Sequence, residues 1–308
     1  MWNYLGRRLL TSLSILIGVS VLTFLMIHVM PGDPVKVMTG RLTTSPERIE
    51  QLREELGFNA PIPVQYLKYV ERFLRGDMGT SIRNNRPVFG QIREQLPSTV
   101  KLALLTITIS TILGIFVGLI SAATKYSVLD RVLSFVSLTV ISIPTYFLAL
   151  LLILLFSVRL KWVPAVARAD DPRGIILPSI SLALGEAFWL GRIVRNSVIE
   201  EANKAYPNLA KSKGVSRVGI LVRHILPNVL IPIATAISIQ LVYILAGSVV
   251  IESIFARQGI GSLAVLGIKN QDFPLIQGTV TIMAAIYVVV NTITDLFYAV
   301  VDPRVRLG

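Results

Sequence analysis

Long apolar runs alternate with charged segments along this chain, and the runs have the length of membrane crossings. They cover residues 9–30, 102–124, 132–158, a stretch opening near Ile175 and ending in Arg192 and Arg195, 225–251 and 273–301. Most meet or exceed the roughly 20 apolar residues that cross a bilayer core, so the pattern predicts an all-α polytopic membrane protein with six transmembrane helices. Pro144 interrupts the third run and Asp295 the sixth. The second and fourth carry small residues at every fourth position: Ser110, Gly114, Gly118, Ala122 and Ser179, Ala183, Ala187, Gly191. Such a line lets a neighbouring helix approach closely in lipid.

The first run follows Arg7 and Arg8, as a signal peptide would. It exceeds the roughly 7–15 apolar residues of a signal core, and no A-x-A-like site follows, so it reads as a retained helix. Met30-Pro31-Gly32-Asp33-Pro34 stops it. From there to residue 97 the chain is charged and predicts two amphipathic helices. In the first, Ser45 caps, Pro46 opens, Ile49, Leu52 and Leu56 share a face and Gly57 ends. In the second, Pro63 opens, Val64, Leu67, Val70 and Leu74 form the stripe and Gly76 follows. The organisation expected is therefore an N-terminal transmembrane helix (1–30), an extracytoplasmic helical insert (31–97) and a five-helix core (98–308). The insert would cap the outer ends of the spans, a place compatible with docking an external protein.

Composition agrees with the lipid reading: 53% of the 308 residues are hydrophobic. The net charge of +12 could suggest nucleic acid, but the basic residues lie between apolar runs. With the N-terminus inside, twelve basic residues fall in short inner segments and six in short outer ones. That asymmetry favours cytoplasmic N- and C-termini. The absence of cysteine excludes disulfides and thiolate sites. His28 and His224 fall on opposite sides, so no histidine metal site is expected. No GxxxxGK[ST] stretch is present, so the chain is not expected to bind ATP or to be an enzyme.

The most informative polar stretch lies in the predicted cytoplasmic loop 196–227. Tyr206-Pro207-Asn208-Leu209-Ala210-Lys211-Ser212-Lys213-Gly214 reads as a short helix with proline in its first turn and a left-handed glycine past its end. Ser216 then caps a second helix that feeds through Leu226 and Pro227 into the fifth span. This elbow resembles the EAA loop of bacterial ABC importer permeases (EAA, three residues, Gly, nine residues, Ile, one residue, Leu-Pro). Ala210, Gly214, Leu226 and Pro227 match, while Asn208, Leu209 and His224 stand for Glu, the first Ala and Ile. Glu201-Ala202 looks like the motif but stands seven residues too early.

The resemblance extends to the dipeptide/oligopeptide/nickel group, B-type subunit, through residues 31–34, Arg75-Gly76-Asp77-Met78-Gly79-Thr80-Ser81, Leu96-Pro97-Ser98-Thr99, Ser142-Ile143-Pro144-Thr145-Tyr146-Phe147 and residues 295–304. It implies a permease in the bacterial cytoplasmic membrane that works with a second homologous permease, two cytoplasmic ATP-binding subunits and an extracytoplasmic binding protein. ATP and magnesium would be bound by the ATPase subunits. The elbow, with Tyr206, Asn208, Leu209, Ala210, Lys211, Gly214, Leu226 and Pro227, would be the ATPase-coupling loop. Peptides would be the substrate, with nickel or another small solute as the alternative.

Glu186 lies about 16 Å into the fourth run at 1.5 Å per residue, where a carboxylate is a candidate pathway residue for a cationic substrate. The alternative is an interhelical hydrogen bond or a protonated acid. Asp295 reads as a helix-end contact. A gated channel would need a filter-like re-entrant loop and leaves the elbow without a role. An intramembrane hydrolase would need a Gly-x-Ser-x-Gly turn or paired carboxylates, and neither is present.

Overall fold

The computed structural model describes residues 2–29, 59–166 and 171–301, with 47, 50, 51 and 53 between them. Residues 31–34, most of the first amphipathic helix, the side chain of Asp295 and the tail beyond 301 lie outside the described residues. The helices are α1 (Trp2–Val29), α2 (Ile62–Leu74), α3 (Val88–Ala123), α4 (Val128–Ser142), α5 (Thr145–Leu152), α6 (Ile176–Ala202), α7 (Ala205–Ser212), α8 (Arg217–Ile220), α9 (Leu226–Ile254), α10 (Ile260–Asn270) and α11 (Phe273–Val301). Wide π-helical turns extend α5 over Ile153–Arg159 and join α8 to α9 over Leu221–Ile225. Among the described residues the only extended pairing is the bridge between Thr80 and Pro87. Among them, too, four helices are long and apolar enough to cross a membrane, or five if the bent pair around Pro144 is one span.

Three features differ from the sequence expectation: α10 fills the short segment between the fifth and sixth runs, for which no helix is expected, and the other two concern α3 and the chain around Pro144. α3 begins at Val88 rather than near 102 and carries Pro97 in its interior. Around Pro144 the chain does not merely kink: α4 and the extended α5 are bent by 103°. Ile143 is driven to an extended conformation (φ −80°, ψ 124°), because a following proline disfavours the helical one.

The chain forms two compact units: residues 1–99 with 258–292, and 100–257 with 293–308. In the first, α2 starts with proline in its first turn and is followed by Gly76 at φ +79°, as expected. Its protein contacts are made by an aromatic edge. Tyr66 and Tyr69 lie against Phe24 of α1, at ring-centroid distances of 5.5 and 5.9 Å, and Phe73 stacks on Tyr69. Of the predicted stripe, Leu67 is 66% and Leu74 80% exposed, while Val70 is half-buried. Elsewhere in this unit Val88, Ile92, Ile260, Leu263 and Leu275 form a core. Ser81 Oγ donates to the carboxylate of buried Asp272 at 2.5 Å.

The second unit is built on the two small-residue lines, which pack on each other. Gly114 of α3 is so close to α6 that a Cβ there would sit 2.7 Å from the Ala187 carbonyl oxygen. At Gly118 it would sit 2.6 Å from the Gly191 oxygen and 2.6 Å from Val194 Cβ. Residue numbers rise together along this seam, so α3 and α6 run parallel. Against α9 they run oppositely: Gln240 Nε2 donates to the Glu186 carbonyl at 2.5 Å, and Gly247 faces Leu182. The α3–α4 turn, the end of α6 and the start of α9 therefore share one end of this unit.

Candidate functional site

At that end lies the elbow, and its local geometry follows from its sequence. Lys204 enters in an extended conformation and Pro207 occupies the first turn of α7, where its missing N–H removes no helical bond. Gly214 has φ +81°. Its N–H donates to the Lys211 carbonyl at 3.0 Å, and that of Val215 to the Ala210 carbonyl at 3.2 Å. These two bonds are the glycine-terminated C-cap that satisfies the last helical carbonyls. Ser216 Oγ accepts from the Gly219 N–H at 3.2 Å and starts α8. Pro227 sits in the first turn of α9.

The predicted elbow residues divide into two faces. Pro207 and Ala210 are buried, and Ala210 packs with Ile220, Ile225 and Val229 in the core. Asn208, Leu209, Lys211 and Gly214 are exposed, together with Val218, Val222, Lys213, Arg217 and Arg223. The free face is thus a mixture of apolar and cationic side chains. Leu226 is half-buried at the base.

Three further residues, Glu201, Lys204 and Asn228, fix the elbow. Tyr206 Oη donates to Glu201 Oε2 at 2.6 Å, Asn228 Nδ2 donates to Tyr206 Oη at 3.1 Å, and Lys204 pairs with Glu201. One hydroxyl thereby joins the last turn of α6, the first of α7 and the first of α9. Burial, and next the bond to Glu201, raise the Tyr206 phenol above its ordinary value, which keeps it a donor. A separate tie at the same end joins the α3–α4 turn to α6: the Asp130 carboxylate accepts both guanidinium arms of Arg195 at 2.7 Å. It also accepts from Ser121 Oγ at 2.5 Å and the Tyr126 N–H at 2.9 Å. The side chains are 4% and 22% exposed. The spacing of Glu201, Lys204 and Tyr206 was the one local signal available; Asp130 and Arg195 are far apart in sequence.

Glu186 lies in α6, half-buried, on the opposite side of Ala187 from the elbow. Its backbone carbonyl takes the Gln240 bond, while its carboxylate makes no hydrogen bond or ion pair among the described residues. The structure does not bring it together with the elbow residues.

Two family models match the chain. One, for the N-terminal part of binding-protein-dependent transport system membrane components, matches residues 1–103. The other, "Binding-protein-dependent transport system inner membrane component", matches residues 114–307. The chain belongs to this family. It is a membrane-embedded ABC importer permease of the dipeptide/oligopeptide/nickel group, as its motifs suggested. The permease is 33% identical to a probable peptide ABC transporter permease of Sinorhizobium fredii, over 98% of its own length and 99% of the relative. It is 36% identical to a putative peptide transport system permease of Brucella abortus, over 97% and 98%. Against the glutathione transport system permease GsiC of Salmonella typhi the identity is 34%, over 99% of both. Among solved structures it is similar in fold to the inward-facing MetNI methionine ABC transporter (TM-score 0.58, 16% identity, 68% of this chain and 96% of that one). An amino acid ABC transporter crystallised with histidines gives a TM-score of 0.53 at 19% identity, over 68% and 94%.

Proposed function

We propose that this permease forms half of the translocation pathway of an ATP-driven peptide importer, and that the Tyr206–Pro227 elbow couples it to an ATPase subunit. The observation carrying this reading is the join between elbow and bundle. A helix ended by Gly214 and restarted by Ser216 presents a mixed apolar and basic face, while Tyr206, Glu201 and Asn228 tie its base to α6 and α9 together. A push on the exposed face is therefore delivered to two spans at once. Alternating access needs a rigid transmission of that kind.

Six spans with both termini inside fit this role. α3 and α6 run parallel, so the chain must recross the membrane between them, which favours the bent α4–α5 pair as one crossing over a re-entrant filter. The basic residues Lys125, Arg131, Arg195, Lys204, Lys211, Lys213, Arg217 and Arg223 gather at the elbow end, which favours a cytoplasmic position for it. The partners would be a second permease, two ATP-binding subunits that hold ATP and magnesium, and an extracytoplasmic binding protein. Peptides are the favoured substrate class, since the relatives are named for peptides or glutathione. Glu186, with a carboxylate free of partners among the described residues, would draw the ammonium group of a peptide along the pathway.

The test is uptake by proteoliposomes holding the full assembly, with labelled di- and oligopeptides run beside nickel. ATP-dependent peptide accumulation is expected, and nickel uptake without peptide uptake would overturn the substrate assignment. Orientation is read separately with single cysteines in this cysteine-free chain. In intact cells an impermeant thiol reagent should label Asn59→Cys and spare Ser212→Cys; the reverse would defeat the coupling role.

A further inference from the structure

We infer that α2 lies in the membrane interface, with the uncovered part of its apolar stripe seated in the lipid of the leaflet nearest the C-terminal end of α1. The inference rests on α1 and α11 being membrane spans. α2 is not held above those spans but against their sides. Tyr66 Oη is 2.7 Å from Ser20 Oγ, His28 Nε2 is 3.1 Å from Gln65 Oε1, and Tyr69 Oη is 3.2 Å from Thr281 Oγ1. Thr281 is in turn 3.4 Å from Thr23 Oγ1.

Ser20, Thr23 and Thr281 lie well inside the apolar parts of the spans, and His28 lies two residues beyond the end of the apolar stretch of α1. The apolar stretch of α1 covers Leu10–Met26. At 1.5 Å per residue Ser20 is about 9 Å below the end of that stretch. Thr281 is about 12 Å along α11 from Phe273. A tyrosine reaches several ångströms from its backbone, so the α2 axis comes out near the headgroup boundary. Amphipathic helices that bind membranes bury their apolar face roughly 5–10 Å into this zone.

The distribution of side chains around α2 fits that position. At 100° per residue Tyr66, Tyr69 and Phe73 form one edge of a wide apolar arc, and they are the docked edge. Leu67, Val70 and Leu74 continue the arc sideways, and Lys68, Arg72 and Arg75 lie on the far side. The docked edge takes the protein contacts, the flank is left open at lipid depth, and the cationic side points to water and lipid phosphate. A helix resting on top of the bundle in water would leave Leu67 and Leu74 exposed with nothing to cover them.

The cysteine-free chain makes the test direct. Single-cysteine variants Leu67→Cys, Leu74→Cys, Lys68→Cys and Ile17→Cys carry an environment-sensitive fluorophore, in the full assembly reconstituted into phosphatidylcholine vesicles. Quenching by phospholipid with a nitroxide near the top of its acyl chain is compared with quenching by aqueous iodide. Labels at Leu67 and Leu74 should be quenched several-fold more by the lipid nitroxide, and the label at Lys68 more by iodide. Equal access of iodide to all three α2 positions would overturn the inference in favour of a solvated cap. Protection of Leu67 and Leu74 from both quenchers would overturn it in favour of a protein partner. Ile17, in the middle of α1, checks the underlying span: if a mid-chain nitroxide fails to quench it, the span and this inference fall together. Uptake activity plays no part in the readout, so failure of the transport assignment is distinguishable from failure here.

Discussion

A single methyl group added at Gly118 should be enough to separate α3 from α6. The Cβ of Gly118→Ala would lie 2.6 Å from the Gly191 carbonyl oxygen and 2.6 Å from Val194 Cβ. Non-bonded carbons settle at about 3.5–4.0 Å, so the helices must part by roughly 1 Å. Neither obstacle is a flexible side-chain tip that can rotate away. Overpacking of this kind costs about 1–3 kcal/mol, against about 0.5–1 kcal/mol gained by replacing a helical glycine with alanine. The balance is a destabilisation of about 1–2 kcal/mol. Gly185 supplies the control, because a Cβ there meets nothing within 4 Å. Gly185→Ala should show only the gain, so the two variants differ by the overpacking cost alone, about 1–3 kcal/mol, or on the order of 5 °C in melting temperature. Thermal unfolding of the purified assembly in detergent measures the difference. Equal melting temperatures for the two variants would refute the close approach of α3 and α6.

Three other outcomes are expected. Asp130→Asn leaves Arg195 largely buried without its counter-charge and should cost on the order of 3 kcal/mol, part of which the double variant with Arg195→Gln recovers; a double-mutant cycle in melting temperature reads the coupling. Tyr206→Phe removes the hydroxyl shared by Glu201 and Asn228, so more ATP should be hydrolysed per peptide imported while the assembly still purifies intact; an unchanged ratio would dismiss the hydroxyl as a link. Because that phenol titrates above its ordinary value of 10.0, its neutral form contributes fully below pH 10 and is lost only as pH rises through the raised value, so the ratio should be flat from about pH 6 to 9. At Gly214, where φ is +81° and a Cβ meets nothing within 4 Å, the cost of a side chain is backbone strain alone, about 1–2 kcal/mol. Gly214→Val should therefore weaken retention of the ATPase subunit in pull-down, while Gly214→Asn, which tolerates the left-handed region, should retain it.

What could be read from the sequence was what local backbone chemistry decides. Pro207, Gly214 and Ser216 act within a few residues of themselves, so the elbow was visible as helix, turn and capped helix. The two lines of small residues were visible as well, since a four-residue spacing needs only one helix to be seen. That they face each other was not visible, because the pairing of Gly114 with Ala187 and of Gly118 with Gly191 depends on how α3 and α6 are laid side by side. The same limit hid Asp130 and Arg195, which meet only when the α3–α4 turn comes against the end of α6. Glu201 stands in the wrong register for the motif it resembles; its role comes from a contact with Tyr206, which the register does not describe. α2 shows a different limit. Its period places Leu67 and Leu74 as apolar neighbours on one face and does not say what covers them. Tyr66, Tyr69 and Phe73 take the protein contact instead, their hydroxyls and rings meeting Ser20 and Phe24 of α1 and Thr281 of α11. The aliphatic residues need no such partner, and beside a span an apolar face can be covered by lipid as well as by protein.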